Sequence, residues 1–223
     1  MSLKIKNNIK FEIFQLKKNK YFTIEKEIDN YIFGVLKIAH EKNEMKISRE
    51  FQICIKLSKK GTHDFFEMGK EIPDEYHHHT TKDPFLSKFS LCLGINSDIN
   101  YFLRTNKSIN DFIDYFVIPY FFNFSCFEKY GKYCWEGYSH GNIGIKEYYK
   151  EKFEINDDKT LYNFFKLIVE DKTFLDCPCG SNKSFKECHL KKVKFISDLQ
   201  LKLDSQKIYK RSKNKRYKKN GWK

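Results

Sequence analysis

The sequence predicts an α+β fold, an antiparallel meander sheet with packed helices, followed by a small cysteine-bearing C-terminal module. Three observations carry this. Short β-branched and aromatic runs fill the first 70 residues. Helix caps and apolar residues at helical spacing follow after residue 108. Three of the seven cysteines fall within residues 177–188.

In chain order, Phe11–Gln15 is a short apolar start of undetermined type. Tyr31–Ile38 reads as a strand, and Glu41-Lys42-Asn43-Glu44 as a polar turn. In the next strand Phe51, Ile53, Ile55 and Leu57 alternate with Gln52, Cys54 and Lys56. Gly61–Asp64 turns the chain into a third strand, Phe65–Met68, completing a meander with one buried face. A polar stretch carrying His77-His78-His79 leads to the short apolar segment Phe89–Gly94. Ser108 and Asp111 form a capping box for a helix with Phe112, Ile113, Phe116 and Val117 on one face. Pro119 should end or kink that helix. A second helix starts near Asp157 or Asp158 and buries Leu161, Phe164, Phe165, Ile168 and Val169. Residues 190–206, with Val193, Ile196, Leu199, Leu201 and Leu203, suggest a partly amphipathic helix.

The composition bounds the class. Of 223 residues 40% are hydrophobic and 17% aromatic, enough for a core, so global disorder is excluded. No apolar run approaches the roughly 20 residues of a membrane span, and the start, Met1–Lys6, lacks the apolar stretch of a signal peptide. A cytoplasmic chain with no membrane contact is expected. The net charge of +13 is uneven: residues 207–223 hold nine Lys or Arg and no acid, leaving +4 for the other 206 residues. This basic tail reads as solvated and disordered unless it meets a polyanion, such as nucleic acid or a ribosome.

Cysteines without a secretion signal point to thiols or metal rather than disulfides. In Asp176-Cys-Pro-Cys-Gly-Ser-Asn-Lys-Ser-Phe-Lys-Glu-Cys-His189, one residue separates Cys177 from Cys179, and eight separate Cys179 from Cys188-His189. A turn at Pro178 and Gly180 presents two thiolates, and a following helical turn presents Cys188 and His189. Three sulfurs and an imidazole complete a closed tetrahedral Zn2+ shell with no open position for catalysis. The segment resembles the SEC-C motif, a zinc module found at the end of the SecA translocation ATPase and appended to many bacterial proteins. That resemblance implies docking to proteins or ribosomes.

Of the other cysteines, Cys54 and Cys126 lie among apolar residues and read as structural. Cys134 stands beside Trp135 in a Gly-containing turn expected to be exposed. Cys92 differs: it ends an apolar segment just before Gly94 and a polar loop, where a thiol can stay on a fixed scaffold yet react. Strands, a His-bearing segment, Leu91-Cys92-Leu93-Gly94, a loop and a helix follow one another. Together with Trp135–Gly141, this order resembles the ubiquitin-conjugating enzyme fold over about residues 25–155. Most similar are the conjugating-enzyme-like proteins of short type II CBASS anti-phage operons. The eukaryotic His-Pro-Asn tripeptide is missing; His77-His78-His79 has no adjacent Pro or Asn. On an extended segment His77 and His79 share a face, so either can lower the Cys92 pKa or polarise a thioester carbonyl, as can His140; each is equally readable as a structural or surface histidine.

The resemblance implies three parts: a conjugating-enzyme-like domain over 1–172, the zinc module and helix over 173–206, and the basic tail over 207–223. It implies a thioester between Cys92 and the C-terminus of a cyclic-oligonucleotide synthase, followed by transfer to an amine. The rival expectation is a non-enzymatic adaptor that docks through the SEC-C module and basic tail.

Overall fold

The computed structural model describes residues 9–58, 63–73, 81–105, 108–135, 137–139 and 141–220, with side chains described as far as residue 210. The elements are α1 (Ile9–Leu16), β1 (Phe22–Ile28), β2 (Tyr31–Lys42), β3 (Met45–Lys56), β4 (Asp64–Glu67) and α2 (Asn96–Arg104). There follow α3 (Ile109–Phe112), a π turn (Ile113–Val117), α4 (Ile118–Tyr130), α5 (Gly141–Phe153) and α6 (Asp158–Val169). A 3₁₀ turn (Leu190–Val193) and α7 (Asp198–Asn220) end the chain. It divides into two compact units, Met1–Leu93 with Phe102–Glu136, and Gly94–Tyr101 with Gly137–Lys223.

In the first unit the strands form an antiparallel sheet in the order β1-β2-β3-β4. The predicted meander is there, but β2 and β3 are longer than their apolar runs, and β1 precedes them. Only Phe22 of β1 is buried and a bulge at Ile24/Lys26 breaks its alternation, so it carries little hydrophobic signal. β2 and β3 pair from Tyr31↔Lys56 to Lys42↔Met45, closing on a two-residue turn. Both turn residues have positive φ, Asn43 at 50° and Glu44 at 65°, the twist a tight hairpin needs. The buried face presents Ile32, Leu36, Phe51, Ile53 and Ile55. Helix α4 covers it, with Phe121 lying 4.5 Å from Phe51 between ring centroids, while Phe65 of β4 stacks on Phe112 at 5.4 Å. Asn19 Oδ1 accepts the Tyr21 and Phe22 N–H groups, and its Nδ2 donates to Asn110 Oδ1, tying the turn between α1 and β1 to α3.

The capping box is present: Asp111 N–H donates to Ser108 Oγ at 3.1 Å and Ser108 N–H to Asp111 Oδ2 at 2.9 Å. Pro119 does not end the helix. It occupies the first turn of α4 directly after the π turn, where the Ile118 N–H reaches back five residues to Ile113 O. Widening the backbone there relieves the clash a proline ring makes with the carbonyl four residues earlier. Gly131, at φ 68°, ends α4. Cys134 is buried rather than exposed, because Asn123 Oδ1 accepts both the Cys134 and Trp135 N–H groups and folds the turn inward.

In the second unit one core joins Tyr148, Tyr149 and Phe153 of α5 and Leu161, Phe164 and Phe165 of α6 to Cys177, Phe185 and Val193. The division expected at residue 172 therefore falls inside this unit. Helix α6 starts as predicted, with Asp157 Oδ1 accepting the Thr160 N–H at 2.7 Å. Helix α7 differs from expectation twice. Its backbone stays helical to Asn220 instead of becoming a disordered tail at 207. Among its described side chains the buried ones are Leu201, Asp204, Ser205, Ile208 and Tyr209, whereas Leu199 and Leu203 are 72% and 45% exposed. Burying Asp204 is possible because Ser97 Oγ donates to its Oδ2 at 2.7 Å, Tyr149 Oη at 3.1 Å, and Gln200 Nε2 to its Oδ1 at 3.0 Å.

Candidate metal centre

The loop after α6 is closed by backbone hydrogen bonds before any side chain is considered. Cys177 N–H donates to Lys183 O at 2.8 Å and Phe185 N–H to Leu175 O at 2.8 Å, with Asp176 bridged to Ser184 between them. Gly180 N–H returns to Cys177 O at 3.0 Å, its φ of 80° lying in the left-handed region open to glycine. A single helical turn follows. Cys188 N–H donates to Ser184 O at 2.9 Å and His189 N–H to Phe185 O at 3.2 Å, while Ser184 Oγ accepts the Glu187 N–H. The tight loop thus presents Cys177 and Cys179 and the helical turn presents Cys188 and His189.

Their ligand atoms all lie within 4.8 Å of one another. Cys179 Sγ is 3.7 Å from Cys188 Sγ, and His189 Nδ1 is 3.2 Å from both Cys177 Sγ and Cys188 Sγ. A tetrahedral ion with metal–sulfur bonds of about 2.3 Å sets sulfurs about 3.8 Å apart, so the spacing suits one ion at the centre. Burial pushes the Cys177 thiol up to about 12, while the Ser181 hydroxyl pulls the exposed Cys179 thiol down to about 7. Burial also lowers His189, with Lys192 adding to the effect, which favours the neutral imidazole a metal needs. A cation at the centre of the cluster would stabilise the thiolate form that metal binding requires.

All four predicted ligands are therefore brought together. Two further residues support them. Ser181 Oγ lies 3.1 Å from Cys188 Sγ, and the Phe164 ring packs 4.8 Å from the His189 ring. Ser181 is legible as part of the Pro-Cys-Gly-Ser run; Phe164 lies 25 residues upstream of His189 and carries no local signal.

Cys92 belongs to the first unit and is half-buried. The segment before it is firmly held. Asp83 Oδ2 accepts from Lys56 Nζ at 2.6 Å and Tyr31 Oη at 3.0 Å, its Oδ1 accepts the Phe85 and Leu86 N–H groups, and Leu91 N–H donates to Phe65 O of β4 at 2.7 Å. His77, His79 and His140 lie outside the described residues. Sequence spacing gives no sign of one further buried pair in the first unit, where His63 Nε2 stands 3.9 Å from Glu12 Oε1.

Among the described residues no helix is long and apolar enough to cross a membrane. No curated protein and no solved structure matches the chain. The family model of the SEC-C motif matches residues 176–191, the stretch that contains all four ligands. Residues 176–191 are a SEC-C motif with a Cys/His cluster compatible with a metal ion.

Proposed function

We propose that the protein is a ubiquitin-conjugating-enzyme-like acyl carrier of an anti-phage system, working through Cys92 and stapled at its C-terminal end by structural zinc. The observation that carries the reading is the setting of Cys92. A four-stranded meander ends at β4, Leu91 is tied by its backbone to that strand, the next residue is a half-buried cysteine, and α2 follows. This is the order of parts the resemblance implies. The segment is held from both sides, by Asp83 on β2 and β3 and by Leu91 on β4, and such pre-organisation suits attack on a bound carbonyl.

In the first step the Cys92 thiolate attacks the carbonyl carbon of a donor thioester formed at a partner protein's C-terminus. A carbon–sulfur bond to Cys92 forms, the bond to the donor sulfur breaks, and that sulfur leaves as thiolate. In the second step an amine attacks the new thioester, an amide forms, Cys92 leaves as thiolate, and the amine nitrogen loses its proton to solvent or a base. His77, His79 and His140 are the candidates to polarise the carbonyl or take that proton. The partner the resemblance implies is a cyclic-oligonucleotide synthase.

Zinc fits the Cys/His cluster because three thiolates and one imidazole are its preferred structural donor set, and four protein ligands leave no open position. Its role here is to hold the fold of the second unit. Conjugate formation in cells carrying the synthase tests the function: it is lost with Cys92→Ser if the reading holds and persists if it does not. The adaptor reading rests on the same closed zinc site, and persistence of partner binding without any adduct would favour it.

A further inference from the structure

The buried face of α7 runs through Leu201, Asp204, Ser205, Ile208 and Tyr209. Continued at the same helical spacing, that face next carries residues 212, 215, 216 and 219, which are Ser, Lys, Arg and Lys. The backbone stays helical to Asn220 while the residues that would bury it change from apolar to basic. Between 210 and 220 there are seven Lys or Arg and no acid. At about 100° per residue they are distributed around the whole axis. Lys207, Arg211, Lys215 and Lys219 stand four apart, so each like-charge step opposes the helix in water. A helix that is basic on every side has no face for a protein core, and its complement is a polyanion with charge on more than one side.

We propose that α7 beyond Tyr209 lies in the major groove of duplex DNA and contacts phosphates on both walls without reading sequence. The inference stands apart from the thioester reading and does not depend on it. The fit is dimensional as well as electrostatic. A helix about 10–12 Å across enters a B-form major groove about 12 Å wide, whereas the deep, narrow major groove of A-form RNA does not admit it. The eleven residues from Lys210 to Asn220 extend about 17 Å as helix, a length along which duplex DNA offers about ten phosphates.

The test is fluorescence anisotropy of the full-length protein with a labelled random-sequence DNA duplex of roughly two helical turns, from about 50 to about 200 mM KCl. The partner variant carries Lys213→Gln, Lys215→Gln, Arg216→Gln, Lys218→Gln and Lys219→Gln, which keep helix propensity while removing five charges. A second variant replaces the same four lysines by arginine. The proposal expects at least about tenfold weaker binding and a shallower salt slope for the glutamine variant, with the arginine variant like wild type. Equal melting temperatures for the three proteins show that folding is not the cause. Unchanged affinity of the glutamine variant overturns the proposal, as does equal or tighter binding to duplex or single-stranded RNA of the same length.

Discussion

Cys179 and Cys188 are nine residues apart in the chain, yet their sulfurs lie 3.7 Å apart, a tetrahedral edge, beside the imidazole of His189. Phe185, in the loop that joins them, and Cys177, two residues before Cys179, belong to the core of the second unit. A metal ion held by this cluster would be coupled directly to the core packing of the unit.

Removing the ion should therefore cost stability well beyond the loop. Apparent zinc-binding energies of about 10–16 kcal/mol in isolated fingers exceed the whole stability of many domains. Chelation, or Cys188→Ala, is expected to lower melting temperature and hydrogen-exchange protection at Phe185 and Val193, with one zinc per wild-type chain by native mass spectrometry. A Cys188→Ala protein that melts like wild type would contradict this.

Asp204 is a second fastening of the same unit. It is buried and accepts hydrogen bonds from Ser97, Tyr149 and Gln200. Asp204→Ala takes away the acceptor shared by two buried hydroxyls, leaving Ser97 and Tyr149 only each other at 2.9 Å, and opens a small cavity, for an expected loss of about 3 kcal/mol in urea unfolding. Ser97→Ala, which removes one donor and leaves the carboxylate two partners, should cost about 1 kcal/mol.

Acid should weaken the first unit through His63. Burial pushes His63 down to about 4 from its usual 6.5, so between these values the unfolded chain binds the proton and the folded chain does not. Stability then falls as pH drops from about 6.5 to about 4, by up to about 3 kcal/mol. Burial raises Glu12, first among its causes, and this works oppositely, favouring the fold as pH falls. His63→Gln should flatten the descending limb of melting temperature against pH, whereas Glu12→Gln should steepen it.

The β-sheet offers two substitutions of opposite sign. A Cβ on Gly34 would stand 2.1 Å from the Thr23 carbonyl oxygen, so Gly34→Ala must part β1 from β2 and should cost about 3 kcal/mol. Glu44→Gly removes a left-handed non-glycine residue from the exposed hairpin turn, at φ 65°, and should gain about 0.5–1 kcal/mol. Denaturant midpoints of both variants check the pair.

The parts of the fold readable in the sequence are those whose chemistry is local. The alternation around Phe51–Leu57, the Ser108–Asp111 box, the Asp157 cap and the four metal ligands each signal within a dozen or so residues. The missed features depend on distance. β1 buries only Phe22 and is defined by its pairing with β2. Helix α7 turns Asp204 inward because Ser97 and Tyr149, 107 and 55 residues upstream, converge on it. The inward fold of Cys134 depends on the Asn123 amide eleven residues before it. At Pro119 only the stop that a proline can impose is absent, since the π turn before it lets the helix continue through the proline.

The central claim is that Cys92 carries an acyl group. Intact mass spectrometry of the protein with its candidate synthase and donor thioester, comparing wild type with Cys92→Ala, tests it most directly. The account predicts an adduct with the mass of the partner less one water, cleaved by hydroxylamine and absent from Cys92→Ala. An adduct that survives in Cys92→Ala, or none on wild type with zinc bound and the fold intact, would contradict it.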